Sequence, residues 1–283
     1  MIFTDQMGHK ISLDKTTLRI ISVVPSQTEL LYDLGLMDEI IGITKFCVHP
    51  KELFRTKTRI GGTKKLDIEK IKSLQPDLII GNKEENEELQ VRELMKYFPV
   101  WISDIKNLRD ASQMILQAGE IVGKKVKARQ ICSEIKEKFE NFTSEIGALK
   151  FEPLRTAYFV WRKPYICAGG GTFIDSMMKI CRFRNVFPKE RYPEIAAEEI
   201  REKNPELILL SSEPYPFKEK HIKELITICP AAKILLVDGE LFSWYGSRLL
   251  NVPDYFWELI KQIHSNGSKN HCKMFVSFVR VKS

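Results

Sequence analysis

Four loops carry side chains suited to holding a small molecule. Pro25-Ser26-Gln27 ends an apolar run and opens a helix, where free backbone N–H groups can receive an anionic group. Ser26 is also placed as an ordinary N-cap, with Glu29 at the capping-box offset. Lys45-Phe46-Cys47-Val48-His49-Pro50 offers Phe46 as a stacking face. Its Cys47 and His49 are two apart and can share one side of an extended loop, but two ligands fall short of the four that a structural metal site needs. His49 can instead donate to a carboxylate or supply an axial metal ligand. Val160-Trp-Arg-Lys-Pro-Tyr165 gathers Trp161, Arg162 and Tyr165 just before Ala168-Gly-Gly-Gly-Thr172. There Gly170 allows backbone to approach a ligand at a helix start, a tight turn being the plainer reading. Gly239-Glu-Leu-Phe-Ser-Trp-Tyr-Gly-Ser-Arg248 packs Phe242, Trp244, Tyr245 and Arg248 into a short stretch. Four bulky residues outside a regular period read as a cleft wall more than as core. Arg162 and Arg248 suit carboxylates or phosphates, and Lys83, after a further strand, joins the candidate ligand contacts.

These residues bind; they do not assemble a reaction. The sequence contains no Ser–His–acid set, P-loop or HExxH. His9, His221, His264 and His271 sit in no suggestive company and read as surface residues. The expectation is a protein that is not an enzyme and has no resident cofactor. Its net charge of +7 is spread among glutamates without a block of like sign, so nucleic acid is not an expected partner. No apolar run approaches the roughly 18–20 residues of a membrane-spanning helix. The six cysteines form no CxxC pair and read as mostly unpaired, partly buried thiols.

The elements that must position these loops alternate. Residues 2–13 suggest a hairpin around Gln6-Met7-Gly8-His9. Strands are predicted at 19–24, 40–43, 78–80 and 100–102, with helices from Gln27 to Gly35, Leu66 to Leu74 and Glu84 to Tyr97. Such alternation implies α/β architecture with parallel sheets. From Leu108 to Leu149 apolar residues recur at helical spacing without a proline, which predicts one rigid helix of about 60 Å joining two lobes. Alternation then resumes, with strands at 156–160, 207–210 and 234–237 and helices at 172–180 and 256–264.

An internal repeat supports two similar lobes. Glu69-Lys-Ile-Lys-Ser-Leu-Gln-Pro-Asp-Leu-Ile-Ile80 and Glu198-Glu-Ile-Arg-Glu-Lys-Asn-Pro-Glu-Leu-Ile-Leu209 match at a constant offset of 129 residues. Each reads as a helix, a proline stop, an acid and a buried strand. The expected division is residues 1–107, an N-terminal lobe; 108–149, the connecting helix; 150–264, a C-terminal lobe; and 265–283, a tail. Ligands of open parallel sheets sit outside the carboxyl ends of strands, so a cleft between the lobes is the expected binding place.

Arg19-Ile-Ile-Ser-Val-Val-Pro-Ser-Gln-Thr-Glu-Leu-Leu31, Ile60-Gly-Gly62, Leu74-Gln-Pro-Asp-Leu-Ile-Ile80 and Asn204-Pro-Glu-Leu-Ile208 occur in an order that resembles the helical-backbone metal-receptor family. These are periplasmic substrate-binding proteins of ABC importers for vitamin B12, iron–siderophores, haem and some metal ions. The resemblance covers residues 1 to 264 and is nearest the vitamin B12 branch. It implies a substrate-binding protein that holds cobalamin or a related corrinoid in the inter-lobe cleft, with iron–siderophore or haem as the alternative ligand. It further implies aromatic contacts at Phe46, Trp161 and Tyr192, and permease-docking acids at Glu69 and Glu198. The chain departs from that branch at Gly61-Gly-Thr63 and Asn82-Lys83, where the branch carries tryptophans. A monomer in the periplasm is expected by resemblance. Met1 to Lys10 shows no signal-peptide pattern, which keeps open a cytoplasmic sensor or chelate-processing enzyme using the same cleft.

Overall fold

In the computed structural model, residues 1–14, 19–149 and 151–264 are described; the expected tail at 265–283 lies outside them. The chain divides into two compact units. The first is Met1–Ile135 with Tyr245–Arg248, and the second is Lys136–Trp244 with the described residues from Leu249 to His264.

The first unit opens with the predicted hairpin, β1 (Ile2–Thr4) against β2 (Lys10–Ser12), turning at Gly8 with φ +87°. Its sheet comprises β3 (Ile20–Ser22), β4 (Ile40–Ile43), β5 (Thr58–Arg59), β6 (Leu78–Asn82) and β7 (Val100–Ser103). Their spatial order is β5-β4-β3-β6-β7, all parallel. Every residue of β3, β6 and β7 is buried, as expected for strands covered on both faces. Around them run α1 (Pro25–Asp33), α2 (Lys51–Thr56), α3 (Ile68–Leu74), α4 (Glu88–Met95) and α5 (Leu108–Ile121). One core cluster joins Ile21, Val23, Ile71, Ile79, Leu94 and Ile102.

The single helix expected over 108–149 is two helices. After α5 the chain turns at Gly123, φ +70°, and resumes as α6 (Lys125–Ala148). The turn lets the two helices touch. A Cβ added at Gly119 would lie 2.2 Å from Ala128 Cβ, so Gly119 is a required close approach. Nor is this segment a separate connector. All of α5 belongs to the first unit, and the division falls inside α6. In the second unit α6 sets Phe142 against Phe256 and Trp257.

The second unit contains β8 (Leu154–Trp161), β9 (Tyr165–Cys167), β10 (Phe183–Asn185), β11 (Glu194–Ile195), β12 (Leu207–Ser211) and β13 (Lys233–Val237). The order is β11-β9-β8-β12-β13, with β10 parallel to the first half of β8 and β9 antiparallel to its second half. The β8-β12-β13 core is parallel. Its helices are α7 (Phe173–Ile180), α8 (Ala197–Lys203), α9 (Glu219–Ile228), α10 (Glu240–Ser243) and α11 (Val252–His264). A core cluster built on Phe159, Ile200, Ile208, Leu210 and Leu225 packs under them. The chain leaves this unit at Tyr245 and returns at Leu249, so Tyr245 and Arg248 belong to the first unit and not to the expected C-terminal lobe.

Candidate functional site

In the first unit, the carboxyl ends of β3, β4, β6 and β7 carry the candidates. Ser26 is not the N-cap. The helix begins at Pro25, Val24 takes the capping position without a side-chain bond, and Ser26 is buried. Gln27 is 1% exposed and donates through Nε2 to Ser103 Oγ at 2.5 Å; Asn82 Nδ2 donates to the same oxygen at 2.9 Å. This polar cluster ties β6, β7 and α1 together. Buried this deeply, Ser26 and Gln27 are parts of the frame.

Phe46 is the exposed feature of this face, at 51%. It lies over Gly62, where an added Cβ would meet its Cε2 at 3.0 Å and Lys45 Cε at 3.4 Å. Lys45 Nζ stands 5.1 Å from the ring centroid, adding positive charge beside the apolar face. Cys47 does not pair with His49 as a donor set. It is fully buried, with Sγ 3.1 Å from Thr28 Oγ1 and 3.2 Å from Thr44 Oγ1, and burial pushes its thiol pKa up. His49 is half-buried. Among the described residues no group of three His, Cys, Asp or Glu side chains could hold a metal ion. Lys83 is exposed and pairs with Asp104 at 3.0 Å.

The loop read as a cleft wall is interior. Phe242 is fully buried against Tyr158, Tyr255 and Phe256. Trp244 is 6% exposed and donates from Nε1 to Glu213 Oε1 at 3.0 Å. Tyr245 is equally buried. Arg248 forks onto Glu29 through Nε at 2.9 Å and Nη2 at 2.6 Å, while Ser247 Oγ donates to Asp33. Burial raises the carboxyl pKa values of Glu29 and Asp33, opposed at Glu29 by Arg248. These bulky residues lie outside regular periods because short helical pieces seat them in the protein interior.

In the second unit, Trp161 ends β8 with 40% of its surface exposed, edge-on to Tyr215 at 5.6 Å. Arg162 forms a forked ion pair with Glu224, Nε lying 3.0 Å from Oε2, and the Tyr165 hydroxyl donates to the same carboxylate. Those bonds hold the Glu224 pKa below the usual carboxylate range against the opposing effect of burial, which is the largest single influence. Tyr192 is 38% exposed. At Gly170 an added Cβ would meet Pro188 O at 2.7 Å, and Gly170 N donates to Lys189 O at 2.8 Å. The glycines admit the chain's own 188–191 segment. Thr172 caps α7 by accepting from Asp175 N.

Sequence reasoning missed Tyr215 and Glu224, and it read His221 as a surface residue although that side chain is 3% exposed. Glu213-Pro-Tyr-Pro-Phe217 follows β12 just as the other candidate loops follow their strands, so the same rule applied there would have found Tyr215. Glu69 and Glu198 occupy the first turns of α3 and α8, both exposed. Lys72 Nζ lies 3.1 Å from Glu69 Oε1.

The chain thus comprises two α/β units, each with an exposed ring at the end of a strand of its sheet. Residues 20–227 match the periplasmic binding protein family, and the chain belongs to it. The vitamin B12-binding protein of Photorhabdus laumondii is 23% identical over 271 residues, 95% of each chain. An uncharacterized ABC transporter substrate-binding lipoprotein of Bacillus subtilis is 24% identical over 279 residues, 94% of this chain and 86% of that one. The structure of a periplasmic haem-binding protein from Pseudomonas aeruginosa superposes with a TM-score of 0.75 at 18% identity, covering 89% of this chain and 95% of that one.

Proposed function

We propose that this protein is the substrate-binding component of an ABC importer, working on the extracytoplasmic side of the membrane as a monomer, and that its ligand is cobalamin or a related corrinoid. One observation carries the reading: each unit of this periplasmic binding protein presents an exposed aromatic ring, Phe46 just beyond β4 or Trp161 at the end of β8. Such exposed rings offer flat apolar faces on which a planar ligand can stack. The similarity to a vitamin B12-binding protein supports the corrinoid, and the similarity to an ABC transporter lipoprotein supports the importer. Tyr192 adds a further exposed ring. Glu69 and Glu198 are the acids proposed to meet arginines of the permease. Binding, not catalysis, is the proposed activity, and the ligand brings its own metal.

Haem or a ferric siderophore is the second reading. Lys45, beside the Phe46 ring, favours a chelate with negative charge at its edge. Tryptophan fluorescence followed during titration with cyanocobalamin, haemin and ferrichrome separates the readings. Saturable quenching by cyanocobalamin below the other two supports the corrinoid; saturation only with haemin or ferrichrome replaces it.

A further inference from the structure

Resting on that reading of the Trp161 face, we infer that the Tyr215 hydroxyl is a dedicated hydrogen-bond donor to the ligand, oriented by His221, and that the ligand presents an oxygen acceptor at its rim beside the surface stacked on Trp161. His221 is 3% exposed, and its Nδ1 accepts the Lys218 backbone N–H at 2.9 Å. That bond leaves Nδ1 unprotonated, so the neutral ring carries its hydrogen on Nε2. Nε2 lies 3.2 Å from the Tyr215 hydroxyl oxygen and therefore donates to it. The Arg162 guanidinium also interacts with this hydroxyl, and it has only donors. Facing a donor at His221 Nε2 and another at Arg162, the Tyr215 oxygen accepts, which turns its own hydrogen away from both.

The ring itself is fixed. Phe217 packs against it at 4.8 Å and 66°, and His221 at 5.4 Å and 58°. Trp161 stands edge-on at 5.6 Å, still 40% exposed. A half-buried donor held rigid beside an exposed indole selects a flat ligand whose edge carries carboxylate or amide oxygens, and it disfavours one with an apolar edge.

Calorimetric titration with cyanocobalamin, haemin and ferrichrome, on the wild type and Tyr215→Phe, tests this. The substitution keeps the ring and removes the donor. The expected result is a loss of about tenfold in affinity for the ligand that binds, the scale of one net hydrogen bond to an uncharged or charged acceptor. The melting temperature should fall by a few degrees, because the substitution also removes the acceptor of the buried His221 Nε2–H, while unfolding stays cooperative. Wild-type affinity in Tyr215→Phe overturns the donor role while leaving the binding face intact. Failure of the wild type to bind any of the three overturns the binding reading and the donor role with it. The tautomer is read without ligand by nitrogen-15 NMR of His221: a proton on Nε2 is expected, and a proton on Nδ1 alone overturns the inference.

Discussion

The Arg19 backbone N–H donates to Asp77 Oδ2 at 2.9 Å, and its guanidinium Nη2 donates to Leu74 O at 2.9 Å, the last turn of α3. The second unit repeats the clip. Arg155 N–H donates to Glu206 Oε2 at 2.9 Å, and the Arg155 guanidinium donates to Lys203 O at the end of α8. Both helices stop on a left-handed residue, Gln75 at φ 45° and Asn204 at φ 40°. The sequence repeat is thus a structural one, in which an arginine at the start of one strand caps the helix that leads into the neighbouring strand of its sheet. Asp77→Ala and Glu206→Ala should each lower unfolding free energy by about 1 kcal/mol, measured by urea denaturation. Having no partner in common, the two losses should add.

Arg248→Ala should destabilise by about 2 kcal/mol or more, because it leaves the Glu29 carboxylate buried without its forked partner. Thermal unfolding at neutral pH checks this. Arg248 and Glu29 side chains are 15% and 18% exposed, so partial solvation keeps the cost below that of a fully buried pair.

Gly119→Ala should cost about 1–3 kcal/mol, since its Cβ would fall 2.2 Å from that of Ala128 and force α5 and α6 apart. Gly147→Ala, where nothing lies within 4 Å, is the control and should be neutral to mildly stabilising.

His221 should make stability fall on acidification. Burial, Arg162, Lys220 and Lys218 lower its pKa and Glu224 opposes them. A histidine whose folded pKa lies below its unfolded value favours the neutral folded form. Its contribution is complete above the unfolded value of about 6.5 and is lost as pH falls through the folded pKa. The melting temperature should therefore drop between pH 7 and pH 5, and His221→Gln should flatten that drop.

The order of strands and helices was legible because buried parallel strands such as Leu78–Ile80 and Leu207–Leu210 are uninterrupted apolar runs between helix stops. The break at Gly123 was hidden, because the apolar period of α5 and α6 continues across it. The two exposed rings, Phe46 and Trp161, followed from their place after strands. Phe242 and Arg248 misled because bulk and charge without a period fit a binding wall and an interior equally well. Only the packing partners, Phe256 for one and Glu29 for the other, distinguish the two. His221 gave no signal, since its role rests on Tyr215 and on a backbone N–H three residues away.

Calorimetric titration of the wild type, Phe46→Ala and Trp161→Ala with cyanocobalamin tests the central claim most directly. The account predicts one-site, micromolar-or-tighter binding by the wild type, weakened by at least tenfold in each variant, with melting temperatures unchanged. No heat of binding from a wild type that melts cooperatively, or full affinity in both variants, would contradict it.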